Sequence, residues 1–277
     1  MRSSLGPVGL VPLAALLFGT ALPGTTFGQA PPEGCDRSKS ELGRPAATPD
    51  CEPMAEDEEF LRLRWWHPLA AGAGIATLFL VDEPIQEFMQ DNQSGFQDDV
   101  ADVVEEFHEP NVFLVASAGS MALGLVAREP AISEFGVQAA AAYGLSSGMM
   151  IATKWLFGRA RPSLTPDDVT NFDWTDGGST TSFPSGAAAV SFSLATTLAD
   201  AVDRTPVTVA AYSLATLNSW SRVYTDRHWF SDVALGALYG ITAAKIANGR
   251  WRLFGWRPPT VGIAADGGVR LTYAFPP

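Results

Sequence analysis

Residues 221–232 read "SRVYTDRHWFSD", a polar segment set between apolar ones. An apolar run at roughly 206–222 precedes it and another at roughly 230–247 follows, so it is a polar connection between two helices. The connection carries Arg222 and His228, with Asp232 four residues beyond the histidine. A carboxylate at that spacing can hydrogen-bond one imidazole nitrogen, fix the tautomer and leave the other nitrogen free for attack. A lone histidine near a helix start is usually a satisfied structural residue. An arginine and an aspartate in register with it move the reading toward chemistry.

Upstream, Lys154–Pro162 reads "KWLFGRARP" and places Lys154, Arg159 and Arg161 close together in a chain of formal charge −12. The helix expected over 131–157 should end near Pro162, because the residue before a proline is pushed out of the α region. Lys154 and Arg161 are expected to share a helical face and reach one anion. Arginine offers a planar fork for phosphate oxygens and lysine a point charge. The alternative is an ordinary basic helix end complementing the macrodipole. Between the two basic segments lies "TSFPSGAAAV", Thr181–Val190, in which Pro184-Ser185-Gly186 opens a helix over about 185–200. Free backbone N–H groups at such an opening bind anions, and Gly186 lets a ligand approach closely. Ser185 either adds a donor or simply caps the helix.

Together, Lys-x6-Arg-Pro, Pro-Ser-Gly and Ser-Arg-x5-His-x3-Asp closely resemble the three signature segments of the type-2 phosphatidic acid phosphatase superfamily. That superfamily also contains bacterial class A acid phosphatases and vanadium haloperoxidases. The resemblance covers roughly residues 150–236. It implies an all-α, multi-helix bundle with its site at the ends of several helices. It implies that Lys154, Arg161 and Arg222 hold the phosphate oxygens, with Ser185 and the Gly186 backbone completing the cradle. His228 would attack phosphorus to give a phosphohistidine, and Asp232 would orient it. No metal or other cofactor is implied, although vanadate can mimic phosphate in such a cradle. The implied activity is phosphoric monoester hydrolysis, on a phospholipid or a phosphorylated small molecule, in the bacterial periplasm or cell membrane.

One position departs from the pattern. The second segment of this family normally ends in a histidine, which protonates the leaving oxygen and later activates water; here it is Ala187. General acid–base catalysis contributes about 10² to 10⁴ in rate. Two accounts follow. The enzyme is impaired toward alkyl esters, or another residue supplies the proton, from among His67, His108, Asp167, Asp168, Asp173, Asp176 and Asp226. Two further readings are a non-catalytic phosphate- or phospholipid-binding protein and a vanadate-dependent haloperoxidase.

Composition bounds the rest. The 277 residues are 47% hydrophobic and only 17% charged, which suits one domain of closely packed helices, in water or in a bilayer. The acidic balance argues against nucleic acid as the main partner. Residues 1–30 read as an export signal, with Arg2, an apolar Leu10–Leu22 and a Gly28-Gln29-Ala30 cleavage candidate; an uncleaved anchor is the alternative. Residues 31–59 form a Pro-rich acidic linker holding Cys35 and Cys51, which could pair in an oxidising compartment. Helical patterning starts near Phe60 and defines a domain over 60–257, with an additional helix expected at 112–127. Asp82–Glu109 holds ten acidic residues and no Lys or Arg, read as a solvated helix face rather than a cation site. The tail, 258–277, alternates about Asp266-Gly267-Gly268 as a β-hairpin in which Val269, Leu271, Tyr273 and Phe275 share a face. Alone it would be unstable, so it should dock on the bundle or on a partner.

Overall fold

The computed structural model describes residues 61–106, 110–173, 182–253, 260–263 and 269–272. The expectations for the export segment, the linker with Cys35 and Cys51, His108, Asp176, the Asp266-Gly267-Gly268 turn, Tyr273 and Phe275 fall outside those residues. Among the described residues the apolar runs form seven helices: α1 (Trp66–Asp91), α2 (Gly95–Glu106), α3 (Pro110–Ala127), α4 (Pro130–Leu156), α5 (Gly186–Val202), α6 (Thr205–Tyr224) and α7 (Phe230–Ala247). The fold is an all-α bundle.

The helix expected from near Phe60 begins only at Trp66. Leu61–Leu63 is instead a strand, β1, paired in parallel with β2 (Trp251–Leu253), Leu61 beside Trp251 and Leu63 beside Leu253. Leu-Arg-Leu fits a period of two as well as a helical turn, and the neighbouring strand decides between them. The expected C-terminal hairpin is present as β3 (Thr260–Ile263) antiparallel to β4 (Val269–Thr272), and β3 lies against α4.

Small residues bring the central helices close. Gly236 and Gly240 are one turn apart on α7; a Cβ at either would come within 2.3 Å of a carbonyl of α5, Ser185 O for Gly236 and Ala189 O for Gly240. Small residues at four-residue spacing permit this backbone-to-backbone contact between helices. Phe192, Ala195, Ala211 and Ala215 continue the buried core between α5 and α6. The same device joins α3 to α4, where a Cβ on Gly136 would lie 2.6 Å from Ser117 O. By contrast the outer faces carry exposed Leu80 on α1, Val115 and Val126 on α3, Ile151 and Trp155 on α4, and Leu214 on α6.

α4, α5, α6 and α7 bring Lys154, Gly186, Arg222 and His228 to one end of the bundle. The opposite end holds the β1–β2 pair and the Lys245–Asp200 ion pair at 2.6 Å. The acidic stretch on α1 and α2 is not uniformly solvated, which corrects the expectation for it. Asp82 is fully buried, and Glu105 reaches two arginines. Arg159, 77 residues from Asp82 and 73 from Asp232 in sequence, supplies the charge that permits Asp82's burial.

Candidate active site

The loop after α4 is organised around Arg159. α4 ends at Leu156 rather than near Pro162, so Arg161 lies in the loop and the expected shared helical face with Lys154 does not exist. The two still reach one cavity because the loop folds back on itself. Ala160 N donates to Asn171 O at 2.9 Å and Asp173 N to Gly158 O at 2.7 Å. Gly158 is required there, since a Cβ would come within 1.8 Å of Asp173 O.

Arg159 is fully buried and spends all five of its N–H donors inside the protein. Nε and Nη2 reach Val169 O at 3.0 and 2.7 Å, Nη1 reaches Ser231 Oγ at 2.8 Å and Asp232 Oδ1 at 2.6 Å, and Nη2 reaches Asp82 Oδ2 at 2.7 Å. Its guanidinium also lies 4.3 Å from the centre of the Phe79 ring and 5.2 Å from that of Trp229. No donor remains for a ligand. Of the three cations in "KWLFGRARP", Arg159 is therefore structural.

Backbone contacts link the three segments in series. Ser182 N donates to Arg159 O at 2.7 Å, and Ser182 O accepts from His228 Nδ1 at 2.8 Å. With Nδ1 carrying the proton, the lone pair is on Nε2. The 225–229 connection is held by the end of α6, where Arg222 O accepts from both Arg227 N at 3.1 Å and His228 N at 3.0 Å. Asp226 turns the chain in the left-handed region, φ 56°, which aspartate tolerates better than most residues.

Asp232 is in place but not in the simple dyad expected. Its Oδ2 lies 3.7 Å from His228 Nδ1, beyond hydrogen-bonding distance, and instead accepts from Trp229 N at 2.8 Å and from Ser182 Oγ. It caps the start of α7, and it acts on the histidine through Ser182 and through charge. Burial pushes the His228 imidazole below its ordinary pKa, against the opposing pull of Asp232. The neutral, nucleophilic form is therefore favoured.

Lys154, Arg161, Gly186, Ala187, Arg222 and His228 line one cavity of about 630 Å³, together with Glu105, Tyr143, Ser147, Met150, Val190 and Arg227. Ser185 is absent from that lining. It is fully buried and caps α5, its side chain accepting from Ala188 N at 3.4 Å. Gly186 alone of the pair faces the cavity. Arg222 is buried, its Nε has no hydrogen-bond partner among the described residues, and its Nη1 has only the charge contact with Glu105 Oε1 at 3.1 Å. A buried guanidinium with an unused donor beside a cavity is arranged for an anion. None of the described alternative acids, His67, Asp167, Asp168, Asp173 or Asp226, lines the cavity. His67 is at the β1 end, hydrogen-bonded to the backbone of Arg64.

Sequence reasoning missed Ser182, Glu105, Asp82 and the role of Arg159. Ser182 adjoins the second segment and could have been suspected; Glu105 and Asp82 carry no local signal.

Residues 135–254 match the family model described as PAP2 superfamily. The chain is 30% identical over 187 residues to a lipid A 1-phosphatase of Porphyromonas gingivalis, an alignment spanning 67% of this chain but only 38% of that relative. Its fold is similar to the crystal structure of a transmembrane PAP2-type phosphatidylglycerolphosphate phosphatase from Bacillus subtilis, with a TM-score of 0.51 and 18% identity over 66% of this chain and 95% of the other. Aquifex aeolicus LpxE gives a TM-score of 0.48 at 19% identity, over 60% of this chain and 93% of that one. Residues 135–254, which hold all three signature segments, are thus the part of the chain that matches the PAP2 superfamily.

Proposed function

We propose that this protein is a membrane-embedded phosphoric monoester hydrolase that acts on a lipid phosphate through a phosphohistidine on His228. The observation that carries the reading is the single cavity shared by Lys154, Arg161, the α5 N-terminus at Gly186, Arg222 and His228. Three cations and a helix start can neutralise a phosphoryl group beside one neutral imidazole. In the first step the Nε2 lone pair attacks phosphorus as the P–O ester bond breaks, and the leaving oxygen departs with the bonding pair. In the second, water attacks phosphorus, the N–P bond breaks and its electron pair returns to the imidazole. The water proton passes to solvent.

Ala187 lines the cavity where a proton donor would serve both steps. The reading therefore includes impairment: poor leaving groups depart slowly, and the phosphohistidine hydrolyses slowly.

A lipid substrate is supported by two features. On α4, the cavity-lining residues Lys154, Met150, Ser147 and Tyr143 span a rise of about 16 Å, charged at one end and uncharged beyond. The outer faces of α1, α3, α4 and α6 are apolar and uncovered, and two helices, Trp66–Asp91 and Phe230–Ala247, are long and apolar enough to cross a bilayer. Arg62, Arg64, Arg128, Arg204, Arg250 and Arg252 all fall at the end opposite the cavity. By the positive-inside rule that end is cytoplasmic and the cavity opens on the outer side of the cell membrane.

The test is hydrolysis by the purified, detergent-solubilised protein. An aryl phosphate should be turned over, lipid phosphates much more slowly, and both activities should be lost in Arg161→Ala and Arg222→Ala. Undiminished turnover in either arginine variant contradicts the reading.

A further inference from the structure

The buried charges behind His228 do not balance. Asp82 and Asp232 are both fully buried, and both act only as acceptors, as carboxylates do. Asp82 accepts from Ser231 N at 2.8 Å, Ser231 Oγ at 2.6 Å and Arg159 Nη2 at 2.7 Å. Asp232 accepts from Arg159 Nη1 at 2.6 Å, Trp229 N at 2.8 Å and Ser182 Oγ. Between the two stands one cation, Arg159, with every donor committed. The ladder Asp82–Arg159–Asp232 thus carries a net charge of −1 by itself, with Lys154 within electrostatic reach of Asp232 from the cavity side.

We infer that Asp82 on α1 is a positioning residue for the reaction: its carboxylate leaves the ladder one negative charge in excess, and that excess stabilises the positive charge that develops on His228 during phosphoryl transfer. When Nε2 bonds phosphorus while Nδ1 keeps its proton, the imidazole ring becomes cationic. The phosphoryl oxygens are met by Lys154, Arg161 and Arg222, so the new ring charge needs a partner on the Nδ1 side. Asp232, 3.7 Å from Nδ1, supplies it only if Arg159 does not neutralise it fully. Asp82 takes the other half of the Arg159 charge and keeps Asp232 available. The charged groups around His228 are Asp232 on α7, Lys154 on α4, Arg161 and Arg227 in loops, Arg222 on α6 and Glu105 on α2. Asp82 acts on the far side of that shell, through Arg159.

This inference rests on the phosphohistidine reading, and the experiment separates the two. Phosphoenzyme formation from an aryl phosphate is followed by rapid quench for wild type and Asp82→Asn, alongside inorganic phosphate affinity and thermal melting. If wild type forms no phosphohistidine, the functional reading fails and the inference with it. If wild type forms one, Asp82→Asn should form it about 10- to 100-fold more slowly, with phosphate affinity within about threefold. Its acid limb should shift to lower pH, because a less negative surrounding lowers the basicity of His228. An unchanged rate and limb in a folded Asp82→Asn overturns the inference. The double variant Asp82→Asn/Arg159→Gln removes one negative and one positive charge and so keeps the ladder at its native net charge, while it also takes the Arg159 contact from Asp232. It should form phosphoenzyme within about tenfold of wild type, and this arm decides the question if the single variant does not fold. A larger loss shows that geometry, not charge balance, is what matters, and overturns the inference.

Discussion

The carbonyl of Ser182 accepts a hydrogen bond from Nδ1 of His228 at 2.8 Å, so the backbone of the second signature segment sets the tautomer of the histidine in the third. The nitrogen left with its lone pair is Nε2, and the imidazole is neutral because burial disfavours its charged form.

The pH dependence follows. In the proposed reaction His228 attacks only when deprotonated, and its folded-state pKa lies below the ordinary 6.5. The acid limb of kcat/KM should therefore have its midpoint below 6.5, with activity rising as pH increases through it. The stability contribution has the same sign: a depressed histidine pKa favours the fold at higher pH and is lost as pH falls from 6.5 through the folded value. A pH–rate profile on an aryl phosphate checks this, and a midpoint well above 6.5 contradicts the assignment.

Arg159 should be essential to the fold rather than to ligand binding. Arg159→Met fills similar volume but leaves Asp82 and Asp232 facing each other without a cation. Removing one partner of a buried charge pair costs about 3–5 kcal/mol. Thermal melting in detergent should show a loss of that order, and a variant melting near wild type would show that the pair is dispensable.

Ala187→His should restore the missing proton donor. The rate on an alkyl or lipid phosphate should rise by about 10² to 10⁴, while an aryl phosphate, whose leaving oxygen needs little protonation, should gain much less. Parallel assays on the two substrates decide it. Equal gains would mean that position 187 does more than supply a proton.

Glu105 is placed to compete with a bound phosphate. Its carboxylate lies 3.1 Å from Arg222 Nη1 and 3.9 Å from Arg227 Nη2, so an incoming phosphate must share or displace it. The group is a third exposed, which keeps the effect small. Glu105→Gln should tighten inorganic phosphate binding by about two- to fivefold, measured by calorimetry or competitive inhibition. Weaker binding would instead make Glu105 a support for Arg222.

Much of this site was legible from spacing, although one spacing argument failed. Lys154 and Arg161 do meet in one cavity, but α4 stops at Leu156 and the loop, not a shared helical face, brings Arg161 round. Helices α3 to α7 followed from apolar runs whose ends carry their own stop signals, Pro at helix starts and Asn248 after the last. β1 did not, because three residues of Leu-Arg-Leu become a strand only beside Trp251–Leu253, almost 200 residues away. Ser185 was read as cap or ligand, and burial assigns it to the cap. The acidic run misled for the same reason: Asp82 resembles its solvated neighbours until Arg159 and Ser231 are seen to surround it. Tertiary partners separated by more than 70 residues leave no trace in local pattern.

The most direct test is to trap the covalent intermediate. With Ala187 unable to activate water, the phosphohistidine should outlive its formation when an aryl phosphate is the donor. Wild-type protein quenched after mixing with labelled aryl phosphate should carry about one phosphoryl group per chain, acid-labile and base-stable, mapped to the peptide containing His228 and lost in His228→Ala. Label that persists in His228→Ala, or free phosphate released with no burst and no labelled peptide, would contradict the account at its centre.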